Sequence, residues 1–459
     1  MNRITRSIDR VLVRWFNIHP IEVEKVFTPS TAAEDNYVHR PELENSIVSD
    51  LRTPGKQLLV YGHSGSGKTT VIRKILKQEQ IRFVITQCEE ATTYEQIILN
   101  AFDSLNRFII SQKSFSESSK DTASLVAEYN GIKAQFGNEI HKTESYTITP
   151  LLPPQLTPQK FASFFGDGNI VWIIEDFHKV KPAEKKRIAD IMKIFVDNAN
   201  EYKQTKVICI GACDTTNELV QLDPNLKNRI AEIEVNLLSE KSIRTIVRNG
   251  FDLLNISITK KLEDKIVYYA SRLGTQAHQM CLDICRGEGI QRRSSKSINL
   301  KDEAFNFAVN SFINDNKNTL TTIYETAIKN EIGWYVLRTF SFHSQNKLSF
   351  REIKKIINNS KKHTFTDDEI KESLNELSSP QYAVILYHSH SDKYSLASPF
   401  WEAFLRMQFA LEQANKNKEN KNKHNQNLKI KYINTEDINA LVEERLLELL
   451  QNLRNFGTI

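Results

Sequence analysis

One eight-residue stretch, GHSGSGKT at residues 62–69, limits what this chain can fold into more than any other feature. It follows the apolar run LLVYG, which is typical of a buried strand, and it leads into a helical pattern that extends from Lys68 to Gln78. The three glycines permit dihedrals that other residues disfavour and let successive N–H groups converge on one point. Strand, glycine-rich turn and helix together predict a loop that holds phosphate groups.

Each polar group of this loop has an expected task. The Lys68 ammonium should lie against the β and γ phosphates, and the Thr69 hydroxyl should bind Mg²⁺ at the positive end of the helix. A flexible serine-glycine turn is the alternative interpretation. The residues predicted to bind nucleotide here are Gly62, His63, Ser64, Gly65, Ser66, Gly67, Lys68, Thr69 and Thr70.

Acidic residues follow two later apolar strands that the pattern predicts. Glu175 and Asp176 come after VWII and should emerge together at the edge of a sheet. We assign Glu175 to Mg²⁺ and Asp176 to orienting or deprotonating the attacking water. The more usual order is Asp before Glu, so hydrolysis is expected to be slow; an acidic helix cap is the alternative. Asp214, after KVICIGAC, is a candidate sensor of the γ-phosphate or else a turn or helix cap.

The alternation of strands and helices predicts an α/β fold, a P-loop NTPase core built on a parallel sheet, with a helical lid and a C-terminal winged helix. From residue 238 to about residue 288 the pattern is helical, and no strand is expected there. The predicted segments are an amphipathic N-terminal helix at 1–28, the core at 29–237 with an insertion at about 111–158, the lid at 238–318, the winged helix at 319–412, and an Asn/Lys-rich linker with a terminal helix at 413–459.

Residues 26–288 resemble the AAA+ and STAND ATPases, particularly their initiator-like branch. HRPELE resembles that branch's nucleotide-proximal element, which implies that residues 37–40, including Val38 and Arg40, lie near the adenine. DPNLKNRIAEIEV resembles the segment that carries an arginine finger, and Arg229 is the matching residue; a surface arginine at a helix end is the alternative. SRLGTQAHQMC resembles the second sensor region, but the expected arginine after Gly274 is missing. His278 lies nearby, either as a candidate for that role or as a packed histidine.

The charge of the predicted winged helix separates two kinds of partner. Its predicted recognition helix, TDDEIKESLNEL, carries five carboxylates and one lysine, which opposes docking onto a phosphate-lined groove. The preceding helix is basic, with Lys354 and Lys355 among its cations, so a contact to a nucleic-acid backbone stays open. The resemblance to STAND proteins implies instead a module that binds protein or inhibits the chain's own ATPase.

Composition bounds the remaining expectations. A net charge of +5 from 61 basic and 56 acidic residues does not by itself indicate a nucleic-acid partner. Five scattered cysteines fit a reducing compartment, and no apolar run reaches the roughly 18 residues that a membrane-spanning helix needs. We therefore expect a cytoplasmic chain without a membrane partner.

These observations predict an enzyme, an ATPase that binds ATP and Mg²⁺ and hydrolyses ATP to ADP and phosphate. It should act as a molecular switch that couples its nucleotide state to a partner protein through the lid and winged helix, as a homo-oligomer. A DNA-binding initiator or loader ATPase is one alternative. A scaffold that binds ATP without hydrolysing it is the other.

Overall fold

The computed structural model describes residues 21–113, 157–212, 226–343, 347–359 and 364–422. Within these ranges the chain divides into two compact units. The first, called here the sheet unit, contains residues 39–236. The second, called the helical unit, contains residues up to Val38 and from Leu237 onward. Most of the predicted insertion, the predicted terminal helix, the first 20 residues and Asp214 lie outside the described residues.

The sheet unit is built on five parallel strands in the order β2-β3-β4-β1-β5. Strand β3 has side chains buried on both faces: Val171 and Ile173 pack on one side and Trp172 and Ile174 on the other. An apolar run of this kind is typical of a parallel sheet covered on both faces. The strands are β1 Gln57–Tyr61, β2 Arg82–Gln87, β3 Ile170–Glu175, β4 Val207–Ile210 and β5 Ile230–Glu234.

Helices cover both faces of this sheet, which confirms the predicted α/β class. One hydrophobic cluster includes Ile47 and Val71, from the helices before and after β1, and the other includes Ile97, Phe161 and Ile188. Three of the helices begin with proline, whose fixed φ suits a first helical position. The helices of this unit are α2 Pro41–Arg52, α3 Lys68–Gln78, α4 Tyr94–Lys113, α5 Pro158–Asp167 and α6 Pro182–Asp197.

The first part of the helical unit is mainly α-helical but includes two short parallel strands, β6 Ile256–Ile258 and β7 Ile298–Leu300. The expectation of no strand before residue 288 is therefore wrong. Ile256 and Ile258 alternate with Ser257, and three residues are too few for that alternation to stand out from the helices around them. The helices here are α1 Val23–Val26, α7 Glu240–Leu253, α8 Lys260–Tyr269, α9 Gly274–Gly287 and α10 Phe305–Asp315.

In the C-terminal part of this unit, three helices, with a short strand after the first of them, precede a β-hairpin. The winged helix at 319–412 stays a prediction. The three strands of this part form an antiparallel sheet in the order β8-β10-β9, and β9 with β10 form a hairpin. No described helix is both long and apolar enough to cross a bilayer. The elements are α11 Thr322–Ala327, α12 Glu331–Phe342, β8 Leu348–Ser349, α13 Phe350–Asn359, α14 Asp367–Ser378, β9 Ile385–His388, β10 Lys393–Leu396 and α15 Pro399–Asn422.

Candidate nucleotide-binding site

The glycine-rich loop joins the end of β1 to the start of α3 and has an unusual backbone. Gly62, Gly65 and Gly67 all have positive φ, at +149°, +77° and +89°. A β-carbon on Gly62 would also lie only 2.4 Å from the carbonyl oxygen of Val235. Side chains rarely tolerate such dihedrals or such a close approach, so these positions require glycine. This is the loop shape that the sequence predicts.

The Lys68 side chain folds back over the start of the loop. Its Nζ atom donates hydrogen bonds to the carbonyl oxygens of Gly62, at 2.9 Å, and of His63, at 2.8 Å. The ammonium therefore lies over the loop although Lys68 itself is the first residue of the helix. A cation in this position suits an anionic ligand held by the loop.

Two observations on this loop fit a bound triphosphate. Helix α3 begins after Gly67, which has no side chain to cap the helix, and its first turn contains no acidic residue. The N-terminal N–H groups of a helix are left unpaired by its own hydrogen bonding and attract anions. The Ser66 hydroxyl is buried and has no hydrogen-bond partner among the described residues. A buried polar group of this kind fits a loop that binds a polar ligand, because such groups are normally satisfied.

Glu175 lies on the side of α3 where Mg²⁺ is expected. Its Oε1 atom is 3.6 Å from Nη2 of Arg73, and Arg73 is four residues after Thr69 on the same face of the helix. Only 12% of the Glu175 side chain is exposed. Within the described part of the chain, its Oε1 atom and the Arg73 Nε atom are buried without a hydrogen-bond partner. A carboxylate and a hydroxyl are oxygen ligands that suit Mg²⁺, so these residues fit that ion.

Asp176 has a different environment from its neighbour. Its backbone has φ +56°, its side chain is 49% exposed, and Oδ2 accepts a hydrogen bond from Lys179 Nζ at 2.7 Å. The two acids therefore diverge, because Glu175 is directed toward α3 and Asp176 toward solvent. An exposed carboxylate can reach water, and a buried one beside the helix cannot do so as easily. The assignment of Glu175 to metal and of Asp176 to water stays a prediction.

Arg73 and His178 are two further residues of this region that the sequence reasoning missed. Desolvation lowers the pKa of the His178 imidazole, and the cations Lys179, Lys68 and Lys185 act in the same direction, whereas Asp176 raises it. His178 is exposed, so its desolvation is partial. Arg73 could have been predicted from the sequence, because it lies four residues after Thr69 and so on the same face of the helix. His178 could have been predicted because it lies only two residues after Asp176.

The residues that the family resemblance singled out lie in several places. The Arg40 guanidinium contacts the phosphate loop, donating to the Ser66 carbonyl oxygen at 2.7 Å. Val38 packs against the core of the helical unit. His278 is buried in that unit too, and its Nδ1 atom accepts a hydrogen bond from the Thr28 N–H at 3.1 Å, so it is a packed histidine.

Arg229 precedes β5 and lies at the amino ends of the strands, whereas the phosphate loop lies at their carboxyl ends. The parallel register pairs Gln57 with Ile230 and Tyr61 with Glu234, so the loop follows the carboxyl end of β1 and Arg229 lies beside its amino end. Nη1 of Arg229 is 3.4 Å from an Asp197 carboxylate oxygen on the surface. Within one chain Arg229 therefore does not reach the phosphate loop.

The fold and site define a P-loop nucleotide-binding domain, with the phosphate loop after β1 and the paired acids after β3. Comparison with known families agrees, because residues 43–210 match the AAA ATPase domain. The match includes the phosphate loop and the paired acids Glu175 and Asp176. No protein of curated function matches the sequence.

Three solved structures align with most of this chain. The Walker-type ATPase PABY2304 of Pyrococcus abyssi aligns with a TM-score of 0.52 and 14% identity, over 82% of this chain and 98% of that one. Cdc6p from Pyrobaculum aerophilum aligns with a TM-score of 0.38 and 14% identity, over 85% and 99%. The Aeropyrum pernix ORC2 protein aligns with a TM-score of 0.44 and 9% identity, over 87% and 100%. The alignment with the Walker-type ATPase shows a shared fold.

Proposed function

We propose that this protein is an ATP-binding and ATP-hydrolysing molecular switch of the AAA+/STAND type. The observation that carries the proposal is the Lys68 ammonium, held over the carbonyl oxygens of Gly62 and His63 in a loop whose glycines all have positive φ. In this role the loop N–H groups and Lys68 bind the phosphates of ATP.

The metal and the water have separate residues in this proposal. Thr69 and Glu175 would hold Mg²⁺, which when bound neutralises charge on the phosphate oxygens. Asp176 accepts a proton from the attacking water while the water oxygen bonds to the γ-phosphorus and the bond to the β–γ bridging oxygen breaks. The products are ADP and inorganic phosphate. Asp214 is the proposed sensor of the γ-phosphate and lies outside the described residues.

We propose a homo-oligomer in which Arg229 serves the site of a neighbouring subunit. The support is that Arg229 precedes β5, at the amino ends of the strands, and so lies away from its own phosphate loop at their carboxyl ends. A guanidinium supplied by a neighbour would stabilise charge in the transition state. Mixing Glu175→Gln and Arg229→Ala proteins tests this, because a mixed interface joins an intact loop to an intact arginine and should regain phosphate release. Absence of any regain with stably mixed subunits counts against the assignment.

The proposed output is a change in the binding of a partner protein by the lid at 238–318 and the winged helix at 319–412. The charge of the winged helix supports a protein partner over DNA. The Lys354 ammonium of α13 is 2.5 Å from a carboxylate oxygen of Asp367 at the start of α14, and that helix is acidic through its first turn. The Asp367 carboxylate offsets the charge of the Lys354 ammonium, so this pair attracts a phosphate backbone less strongly than an unpaired lysine would.

A DNA-binding initiator or loader is the second candidate, since α13 also carries the exposed Lys355. It predicts salt-sensitive DNA binding that Lys354→Glu with Lys355→Glu removes. The experiment that separates the candidates is purification with ATP, with ADP and without nucleotide, followed by mass measurement and identification of co-purifying protein or nucleic acid. Phosphate release in the same samples separates a switch from a scaffold that binds ATP without turnover.

A further inference from the structure

The backbone of Arg40 is held in place at the start of α2. Its backbone N–H donates to Glu44 Oε1 at 2.7 Å, and its carbonyl oxygen accepts from the Glu44 N–H at 2.9 Å. Pro41 follows at the first helical position. Hydrogen bonding in both directions and a proline together fix the backbone from which the side chain extends.

The guanidinium of Arg40 bridges two backbone segments. Nη2 donates to the Ser66 carbonyl oxygen in the phosphate loop at 2.7 Å, and Nη1 donates to the Asn236 carbonyl oxygen at 3.1 Å. Asn236 follows shortly after β5, the strand beside β1. A β-carbon on Gly67 would lie 2.8 Å from Nη2, so the guanidinium packs directly against the loop. Hydrogen bonds from a charged donor are stronger than neutral ones.

The bond to Ser66 also sets the direction of the next N–H group. All described peptide bonds are trans, and in a planar trans peptide the N–H points opposite to the carbonyl of the same unit. Because the Ser66 carbonyl faces Arg40, the Gly67 N–H is directed away from Arg40. Gly67 precedes Lys68 at the start of α3, where a phosphate would accept hydrogen bonds.

We infer that Arg40 is a positioning residue for the phosphate loop, and this rests on the proposed function of that loop as the ATP site. The resemblance alone implied a place near the adenine, whereas the hydrogen bonds connect Arg40 to the loop backbone. Its contribution should then be the same for any ligand whose phosphates occupy the loop, whatever base the ligand carries.

The test compares ligands with and without a base. Affinities for ATP, GTP and inorganic tripolyphosphate, each with Mg²⁺, are measured by calorimetry on wild-type protein, Arg40→Ala and Arg40→Lys. We expect Arg40→Ala to lower the affinities for ATP and for tripolyphosphate by a similar factor, on the order of 10-fold to 100-fold. Arg40→Lys should regain part of the loss, because one ammonium can reach one of the two carbonyl oxygens.

Arg52→Ala is the matched control, since Arg52 ends the same helix and pairs at the surface with Glu79 at 2.7 Å. It should leave all affinities unchanged. Thermal unfolding without nucleotide identifies a folding defect, and if Arg40→Ala is defective, Arg40→Lys and Arg40→Gln supply the comparison. Loss of ATP affinity with tripolyphosphate affinity intact overturns the inference in favour of a base contact.

The failure of this inference is distinguishable from the failure of the proposed function. If wild-type protein binds ATP, Lys68→Ala weakens that binding at least about 10-fold and Arg40→Ala binds both ligands like wild type, the positioning role is wrong and the ATP site stands. If wild-type protein binds neither ATP nor tripolyphosphate, the positioning role of Arg40 and the proposed ATP site are both wrong.

Discussion

Nη2 of Arg73 lies 3.6 Å from the carboxylate of Glu175, which joins the second turn of α3 to the last residue of β3. The pair is longer than a hydrogen bond, and the Glu175 Oε1 and Arg73 Nε atoms are both buried with no hydrogen-bond partner in the described ranges. A pair at this distance can orient the Glu175 carboxylate and still allow Mg²⁺ to replace the Arg73 guanidinium as its partner. We propose that Glu175 is a ligand of Mg²⁺ when ATP is bound.

Glu175→Gln should therefore raise the Mg²⁺ concentration needed for half-maximal ATP binding, on the order of 10-fold to 100-fold, because an amide is a weaker Mg²⁺ ligand than a carboxylate. ATP affinity without Mg²⁺ should stay the same. Titration of Mg²⁺ at fixed ATP measures both quantities. An unchanged Mg²⁺ requirement would show that Glu175 is not the metal ligand.

Asp176→Asn should behave in the opposite way. The Asp176 side chain is half exposed and pairs with Lys179, so its loss should leave Mg²⁺-dependent ATP binding intact. Phosphate release should fall on the order of 100-fold or more, because the base that activates the water is gone. Equal turnover in Asp176→Asn and wild type would contradict this role, and Lys179→Ala controls for loss of the ion pair.

Gly62→Ala should destabilise the protein and weaken nucleotide binding. Alanine would adopt φ +149° with its β-carbon 2.4 Å from a backbone oxygen, at a cost of about 2 kcal/mol or more. Gly289→Ala is the control, because Gly289 has φ +69° and a β-carbon there would meet no described atom within 4 Å. It should cost about 1 kcal/mol and spare nucleotide affinity. Denaturant unfolding and ATP titration compare the two, and equal effects on affinity would refute the close-approach argument.

His278 should make stability depend on pH. Burial lowers its pKa from 6.5 to about 4. Because the folded pKa lies below the unfolded value, the unfolded chain binds more protons between those pH values. The stability that neutral His278 contributes is therefore full above about pH 6.5 and is lost as the pH falls toward 4, by about 3 kcal/mol in all.

Urea unfolding over this pH range compares wild type with His278→Gln, which keeps an acceptor for the Thr28 N–H. The difference between the two curves removes the contribution of the other titrating groups. Wild type should lose more stability than the variant as the pH falls. Parallel curves would mean that the imidazole is not desolvated in the folded protein.

Local patterns were enough to predict much of the sheet unit. The helix from Lys68 to Gln78 has the predicted bounds, and the glycines of the loop have the positive φ that phosphate binding needs. Strands β1, β3 and β4 were predicted because each contains a continuous run of apolar residues. Strand β5 was not identified, because the exposed Glu232 and Glu234 divide its apolar residues at the edge of the sheet.

The contacts that define the site could not be predicted in the same way. Arg40 meets Ser66 and Asn236 only because α2, the loop and the end of β5 converge in the folded sheet. Arg73 meets Glu175 for a similar reason, since β3 and α3 are distant in sequence. Local periodicity places a residue on a helix face or a strand end, but it does not say which distant residue lies opposite.

Mg²⁺-dependent ATP affinity in wild type and Lys68→Ala tests the central claim most directly. Lys77→Ala is the control, because Lys77 is an exposed lysine near the end of the same helix. We expect wild type and Lys77→Ala to bind ATP equally and Lys68→Ala to lose at least about 10-fold in affinity. Wild-type protein without Mg²⁺-dependent affinity, or affinity that Lys68→Ala leaves intact, would contradict the account.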